Sequence, residues 1–210
     1  MSDGKRITQC QQPRGLIGQF VLWSMNRRHS GVTDWGLRHV SIKESDTILD
    51  VGCGGGRTVS KLAAAASKGK VYGIDYADES VAVAKRVNEQ LIALGRVDIQ
   101  RASVTDLPFA DNEFDLVTAV ETHFWWSDIG AGMREIFRVL KPGGRLVIIA
   151  EFYNGGKYAK YGDRLSKWTT MAVLTVDQHR EIFTNAGFTD VQIDEDGAKG
   201  WICGVGIKPG

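Results

Sequence analysis

Ile48-Leu49-Asp50-Val51-Gly52-Cys53-Gly54-Gly55-Gly56 decides the fold. Ile48 to Val51 reads as a short buried strand, and four glycines in the next five residues read as a tight turn. Thr58 to Ser67, alanine-rich and ended by Gly69, reads as the helix that follows. A glycine cluster between a strand and a helix is a ligand loop in its proper context. Glycine lets the backbone turn tightly and approach a ligand with no Cβ in the way. The glycines stand at 52, 54 and 56, whereas a dinucleotide fingerprint would place its third glycine where Arg57 stands. Asp75 closes the next strand, Val71 to Asp75, about twenty residues after the loop, where a carboxylate can take ribose hydroxyls.

Outward from this stretch the chain alternates between strand and helix patterns. Ala77 to Leu94 reads as one helix with Val83, Val87, Leu91 and Leu94 on a shared side, ended by Gly95. Val97 to Arg101 and Phe114 to Val120 read as the third and fourth strands. Met133, Ile136, Phe137 and Leu140 mark a helix that Lys141-Pro142-Gly143-Gly144 stops. Arg145 to Phe152 reads as the fifth strand. Thr175 with Gln178 fits a capping box for a helix running to Ala186, with Gly187 after it. Phe188 to Ile193 and Trp201 to Ile207 read as closing strands. This alternation predicts a parallel α/β sheet whose ligand site lies outside the carboxyl ends of the strands. Before it, Leu16, Phe20 and Trp23 fall on one face of a helix over 13–29, and Thr33 or Asp34 is placed to cap a second short one. The organisation expected is an N-terminal helical cap or lid over 1–46 and a main domain over 47–210, with a lid-like insertion at 152–174.

Composition excludes several classes. The chain has 210 residues, 43% apolar and 24% charged, which is ordinary globular composition. Twenty-six basic against 25 acidic residues leave a net charge of +1, which argues against nucleic acid or an anionic membrane as partner. Cys10, Cys53 and Cys203 are widely spaced and odd in number, so neither a disulfide framework nor a structural metal site is expected. With no apolar stretch of signal or membrane length read in the sequence, a cytoplasmic location is the expectation.

Four stretches in order resemble class I S-adenosylmethionine-dependent methyltransferases, and most nearly their type 11 domain. They are Ile48–Gly56; Gly73-Ile74-Asp75; Val104-Thr-Asp-Leu-Pro-Phe-Ala-Asp-Asn-Glu-Phe-Asp-Leu-Val117; and Arg134-Glu-Ile-Phe-Arg-Val-Leu-Lys-Pro-Gly-Gly-Arg-Leu-Val147. Ala186-Gly187-Phe188 extends the likeness. The resemblance implies a Rossmann-like, seven-stranded, mostly parallel sheet with the last strand antiparallel. It implies S-adenosylmethionine as cofactor, S-adenosylhomocysteine as product and a small-molecule methyl acceptor. It sets the backbone of Gly52, Cys53 and Gly54 against the methionine part, with Asp50 supporting the loop. It gives Asp75 the ribose hydroxyls, Tyr76 the adenine face, Ser103 and the Val104 amide the adenine edge, and Glu121 the methionine end. Ser103 departs from the Asp that many relatives carry, and a hydroxyl accepts more weakly than a carboxylate. Arg57, a cation opposing a helix dipole, is expected to pair with the cofactor's carboxylate or to point to solvent.

In-line methyl displacement needs mostly alignment, which supplies roughly 7–11 kcal/mol, so a base is optional. The loop Glu121-Thr-His-Phe-Trp-Trp-Ser-Asp128 follows the fourth strand. His123 is its candidate base, with His29 on the N-terminal helix second. Phe124, Trp125 and Trp126 offer a substrate wall or core packing. Asn26 on that helix and Tyr153, Tyr158, Tyr161 and Trp168 after the fifth strand are further candidates for the acceptor pocket. The rivals are an NAD(P)-dependent oxidoreductase and a non-catalytic S-adenosylmethionine-binding regulator. The acceptor atom and the oligomeric state stay open.

Overall fold

The computed structural model describes residues 15, 18, 21, 22, 24, 28–155 and 169–210. Strands β1 (Thr47–Val51), β2 (Lys70–Asp75), β3 (Val97–Arg101), β4 (Phe114–Val120), β5 (Leu140–Ala150), β6 (Thr189–Asp196) and β7 (Trp201–Ile207) form one sheet in the order β3-β2-β1-β4-β5-β7-β6. The first five are parallel, and β7 is antiparallel to both β5 and β6. The seven-stranded Rossmann-like sheet therefore forms as expected. Its order reverses between β1 and β4, the place where such sheets open a crevice.

Side-chain alternation splits the core into two layers. Ile48, Leu116, Val147 and Ile149 face helices α1 (Ser30–Gly36), α2 (Arg57–Ala65) and α3 (Asp78–Val87). Leu49, Val51, Val117, Leu146 and Ile148 face α5 (Ile129–Val139) and α6 (Val176–Asn185). The period of two along each strand produces this division. Phe114 joins the second layer because a register shift lies between it and Leu116.

The expected capping box of α6 is complete. Thr175 Oγ1 accepts the Gln178 amide at 3.1 Å, and Gln178 Oε1 accepts the Thr175 amide at 2.8 Å. Three expectations fail. Residues 77–94 are not one helix: α3 stops at Val87 and a separate α4 runs Glu89–Ala93. The buried side is Ser80, Val81, Ala84 and Asn88, while Val87 and Leu94 are 51% and 73% exposed. Thr33 and Asp34 lie inside α1 instead of capping it. Lys141 to Gly144 does follow the end of α5, but β5 already starts at Leu140 and contains that turn sequence. Residues 15, 18, 21, 22, 24 and 28 are helical, as read. The candidates Asn26, Tyr158, Tyr161 and Trp168 lie outside the described residues.

Asn88 explains the helix break. Its Nδ2 donates to the carbonyls of Gly56 and Ala84, both at 2.9 Å, and its Oδ1 accepts from Ser60 Oγ at 2.7 Å. A buried amide thus ties α3 to the glycine loop and to α2. Asn88→Ala would orphan these partners and should cost about 1–3 kcal/mol of stability, read as a lower urea midpoint at unchanged slope.

Candidate functional site

The glycine loop crosses the carboxyl end of β1 in a conformation that side chains resist. Gly52 has φ +70°, and a Cβ there would sit 2.1 Å from Thr122 Oγ1 in the loop after β4. Gly56 has φ +78°, and a Cβ there would sit 2.7 Å from the Ala84 Cα of α3. Gly54, at φ +51°, has nothing nearer its Cβ position than 4.0 Å, so its open side faces free space. The loop is pinned from β2: the Cys53 amide donates to the Ile74 carbonyl at 2.8 Å, and the Gly54 amide donates to Asp75 Oδ2 at 3.0 Å. Asp75 Oδ1 accepts the Ala77 amide at 3.0 Å.

Two cavities meet over this loop. One runs from Gly52, Gly54 and Asp75 towards His29, Glu121 and Leu22, with Arg57 also on its wall. The other runs from Asp75 and Tyr76 towards Ser103, Val104 and Trp126. Gly52, Asp75, Tyr76, Thr122 and Trp125 line both, making one elongated cleft across the ends of β1 to β4. Of the candidate residues, Gly52, Cys53, Gly54, Asp75, Tyr76, Ser103, Val104 and Glu121 line it. Ser103 Oγ lies 2.8 Å from Thr105 Oγ1 and accepts the Thr105 amide at 3.2 Å.

Asp50 does not line the cleft. It is 2% exposed beneath the loop, and its Oδ1 accepts Thr118 Oγ1 at 2.6 Å. Burial pushes its carboxyl up to about 7, against the Thr118 hydrogen bond and helped by the Asp75 charge. Asp75 is also pushed up by burial, with the Ala77 and Gly54 amides opposing. Burial drives the Cys53 thiol well above its ordinary value, so it is no nucleophile.

His123 is not brought to the cleft either. It is 1% exposed, and its Nε2 lies 3.1 Å from Nε2 of His179 on α6. His179 Nδ1 lies 2.8 Å from the Thr175 carbonyl, which can only accept, so that nitrogen carries hydrogen. Neutral His179 then accepts at Nε2 from His123, leaving His123 Nδ1 buried with no hydrogen-bond partner among the described residues. Burial and His179 hold His123 well below the usual imidazole range. This ring joins two segments of the fold and has no access to an acceptor in the cleft. Phe124 packs with Ala150, Tyr153, Met171 and Ile202, whereas Trp125 and Trp126 face the cleft.

His29, the second base candidate, does line the cleft, and beside it stands a residue the sequence reading passed over. Glu151 follows β5, and its Oε1 lies 3.5 Å from His29 Nε2 and 2.8 Å from Arg28 Nη2. The rule that ligands gather at strand ends covers Glu151 as well as Glu121 and could have found it. Burial, reinforced by Glu151 and opposed by His29, pushes Glu121 up to about 8. Burial works against charge on His29 and on Glu151, yet their mutual contact raises the first and lowers the second.

Known proteins resemble this chain in sequence and in fold. Residues 49–148 match the family model described as a methyltransferase domain. The chain carries a methyltransferase domain. An O-methyltransferase of Pyrenophora dematioidea is 32% identical over 168 residues, covering 78% of this chain and 62% of that protein. A ubiquinone/menaquinone biosynthesis C-methyltransferase of Geotalea daltonii is 35% identical over 131 residues, covering 60% of this chain and 56% of that protein. The chain thus spans about three-fifths of the length of these curated relatives. A SAM-dependent methyltransferase from Aquifex aeolicus has the same fold, with a TM-score of 0.73 at 22% identity over 90% of this chain and 97% of that one. Among the described residues, no helix is long and apolar enough to cross a membrane.

The methyltransferase domain should show the mark of buried Asp50 in its pH dependence. A folded pKa of about 7, against 3.8 unfolded, means stability is greatest when Asp50 is protonated and falls as pH rises from about 4 to about 7. Asp50→Asn should match the parent near pH 4, exceed it near pH 8 and show a flatter profile between, in urea titrations across that range.

Proposed function

We propose that this chain transfers the methyl group of S-adenosylmethionine to a small-molecule acceptor in line, releasing S-adenosylhomocysteine. The observation that carries this reading is the elongated cleft with the glycine loop of the methyltransferase domain at its centre. Its shape and chemistry fit the cofactor. The free space beside Gly54 would be filled by any Cβ there, and the buried Asp75 carboxylate stands where the two cavities join. Asp75 would accept the ribose hydroxyls, Tyr76 would pack on adenine, and Ser103 with the Val104 amide would face the adenine edge. The backbone of Gly52, Cys53 and Gly54 would line the methionine part, with Asp50 stiffening the loop from below and Arg57 near the carboxylate. Glu121, Trp125 and His29 would border the acceptor. When bound, the cofactor supplies an activated methyl on a sulfonium. The residues of this chain then have only to align the acceptor and exclude water, which the N-terminal segment around Leu22 would do as a lid. The names of the relatives, an O-methyltransferase and a quinone C-methyltransferase, support a small-molecule acceptor.

Calorimetric titration with S-adenosylmethionine and S-adenosylhomocysteine, with NADH and NADPH in parallel, tests this. Micromolar binding of the first pair and none of the second is expected. Asp75→Ala should weaken that binding roughly 10- to 100-fold, the size of a hydrogen bond to a charged group. Saturable nicotinamide binding without S-adenosylmethionine binding would sink the proposal.

A further inference from the structure

Glu121 follows β4, Glu151 follows β5, and His29 immediately precedes α1. One nitrogen or oxygen from each lies within 4.8 Å of the others. Because β4 and β5 are hydrogen-bonded neighbours, their two carboxylates reach the same sheet end from adjacent loops. Glu121 Oε1 accepts the backbone amide of Glu151, and the residue is only 8% exposed. Arg28 and His29 both contact Glu151 Oε1. Arg57 and Lys61, the latter paired with Asp34, face the same cleft, and Asp75 stands at its middle.

The charges in this cluster close on themselves. With Glu121 pushed up to about 8, Arg28 and Glu151 balance each other and the set carries no net negative charge near neutral pH, so a divalent ion would add two charges to it with nothing to offset them. A proton fits better, because removing or adding one is the smallest change such a set can make. We propose that His29, Glu121 and Glu151 form a proton relay in which His29 takes the proton of a hydroxyl acceptor as its oxygen is methylated. Glu151 is the positioning residue for the imidazole, and Glu121 shares the proton. The relay rests on the methyl transfer proposed above. In the step, the acceptor oxygen bonds to the methyl carbon, the carbon–sulfur bond breaks with its electron pair left on sulfur, and the hydroxyl proton passes to His29. A hydroxyl needs such a base near neutral pH. An amine is nucleophilic without one, and two carboxylates would hold it as an unreactive ammonium.

The cofactor's charge governs the relay. A sulfonium nearby disfavours a proton on the cluster, and the neutral sulfur left after transfer lets the cluster keep it. The relay is therefore empty when the acceptor must lose its proton and filled afterwards. Glu121, at about 8, and His29, held above its ordinary value against burial by Glu151, titrate close enough to neutrality to respond.

Proton counting tests this without an identified acceptor. The full chain is titrated near pH 7.5 with S-adenosylmethionine and with S-adenosylhomocysteine, in phosphate, HEPES and Tris containing EDTA. The slope of observed enthalpy against buffer ionisation enthalpy gives the protons released. More protons should leave with S-adenosylmethionine than with its product. The difference should vanish in Glu121→Gln and shrink in His29→Gln, with Glu151→Gln as a further variant should either fail to fold. Equal counts in the parent chain overturn the relay while leaving the cofactor reading intact. A difference that survives in all three variants, or appears only when Mg²⁺ or Mn²⁺ replaces EDTA, also overturns it. Failure to bind either ligand overturns the function proposed above, and the relay with it. With tritium-labelled cofactor and a mixed panel of phenols and anilines, label should reach phenols and fall at least tenfold in His29→Gln. Label on anilines that persists in His29→Gln would count against the relay.

Discussion

The glycine loop can lie across the sheet only because Gly52 and Gly56 carry no β-carbon. At Gly52 the backbone comes so near Thr122 that the loops after β1 and β4 touch, and at Gly56 it comes close to α3. These are the loops on either side of the point where strand order reverses. A side chain at either position would prise them apart and would also face a positive φ that costs L-residues roughly 1–2 kcal/mol. The cleft is therefore not a gap left over by packing. Asp75 completes the constraint from β2, because its carboxylate fixes the Gly54 amide.

Burial of acidic groups around this loop has a cost that the fold has to offset. Asp50, Asp75 and Glu121 are all nearly inaccessible, and each is pushed upward by desolvation. Each is held by hydrogen bonds from a neighbouring strand or loop: Thr118 to Asp50, two amides to Asp75, the Glu151 amide to Glu121. Hydrophobic layers on both sides of the sheet supply the stability that tolerates such groups.

The parts of the fold legible in the sequence are those governed by local rules. The strand Ile48–Val51, the glycine loop, Asp75 at a strand end and the capping box of Thr175 and Gln178 each carry a short-range signature, and each is where it was read. What escaped was tertiary. Asn88 looks like one more polar residue on a helix, and only contact with Gly56 and Ser60 makes it a buried junction that ends α3. Val87 and Leu94 fit a helical stripe that the break turns towards solvent. His123 lies at a strand end, as an active-site residue should. Strand-end position fixes the loop, however, and not the direction of each side chain in it. One turn through His123–Trp125 sends His123 and Phe124 inward while Trp125 faces the cleft.

The same reasoning explains why His29 and Glu151 form a pair that neither stretch of sequence announces. They are separated by more than half the chain, and their contact requires α1 to lie over the end of β5. Two ties set that position. Lys61 on α2 donates to the carbonyl of Ser30 at 3.1 Å and to its hydroxyl at 2.8 Å, which anchors the start of α1. Farther along α1, the Gly36 backbone rests so close on Ile149 that a Cβ there would lie 2.5 Å from its side chain. One end of the helix is thus held by α2 and the other by β5, and the imidazole that precedes it is left facing the carboxylate that ends the strand. The geometry at this end of the cleft depends on how α1 is seated, although α1 lies outside the stretch that carries the methyltransferase resemblance.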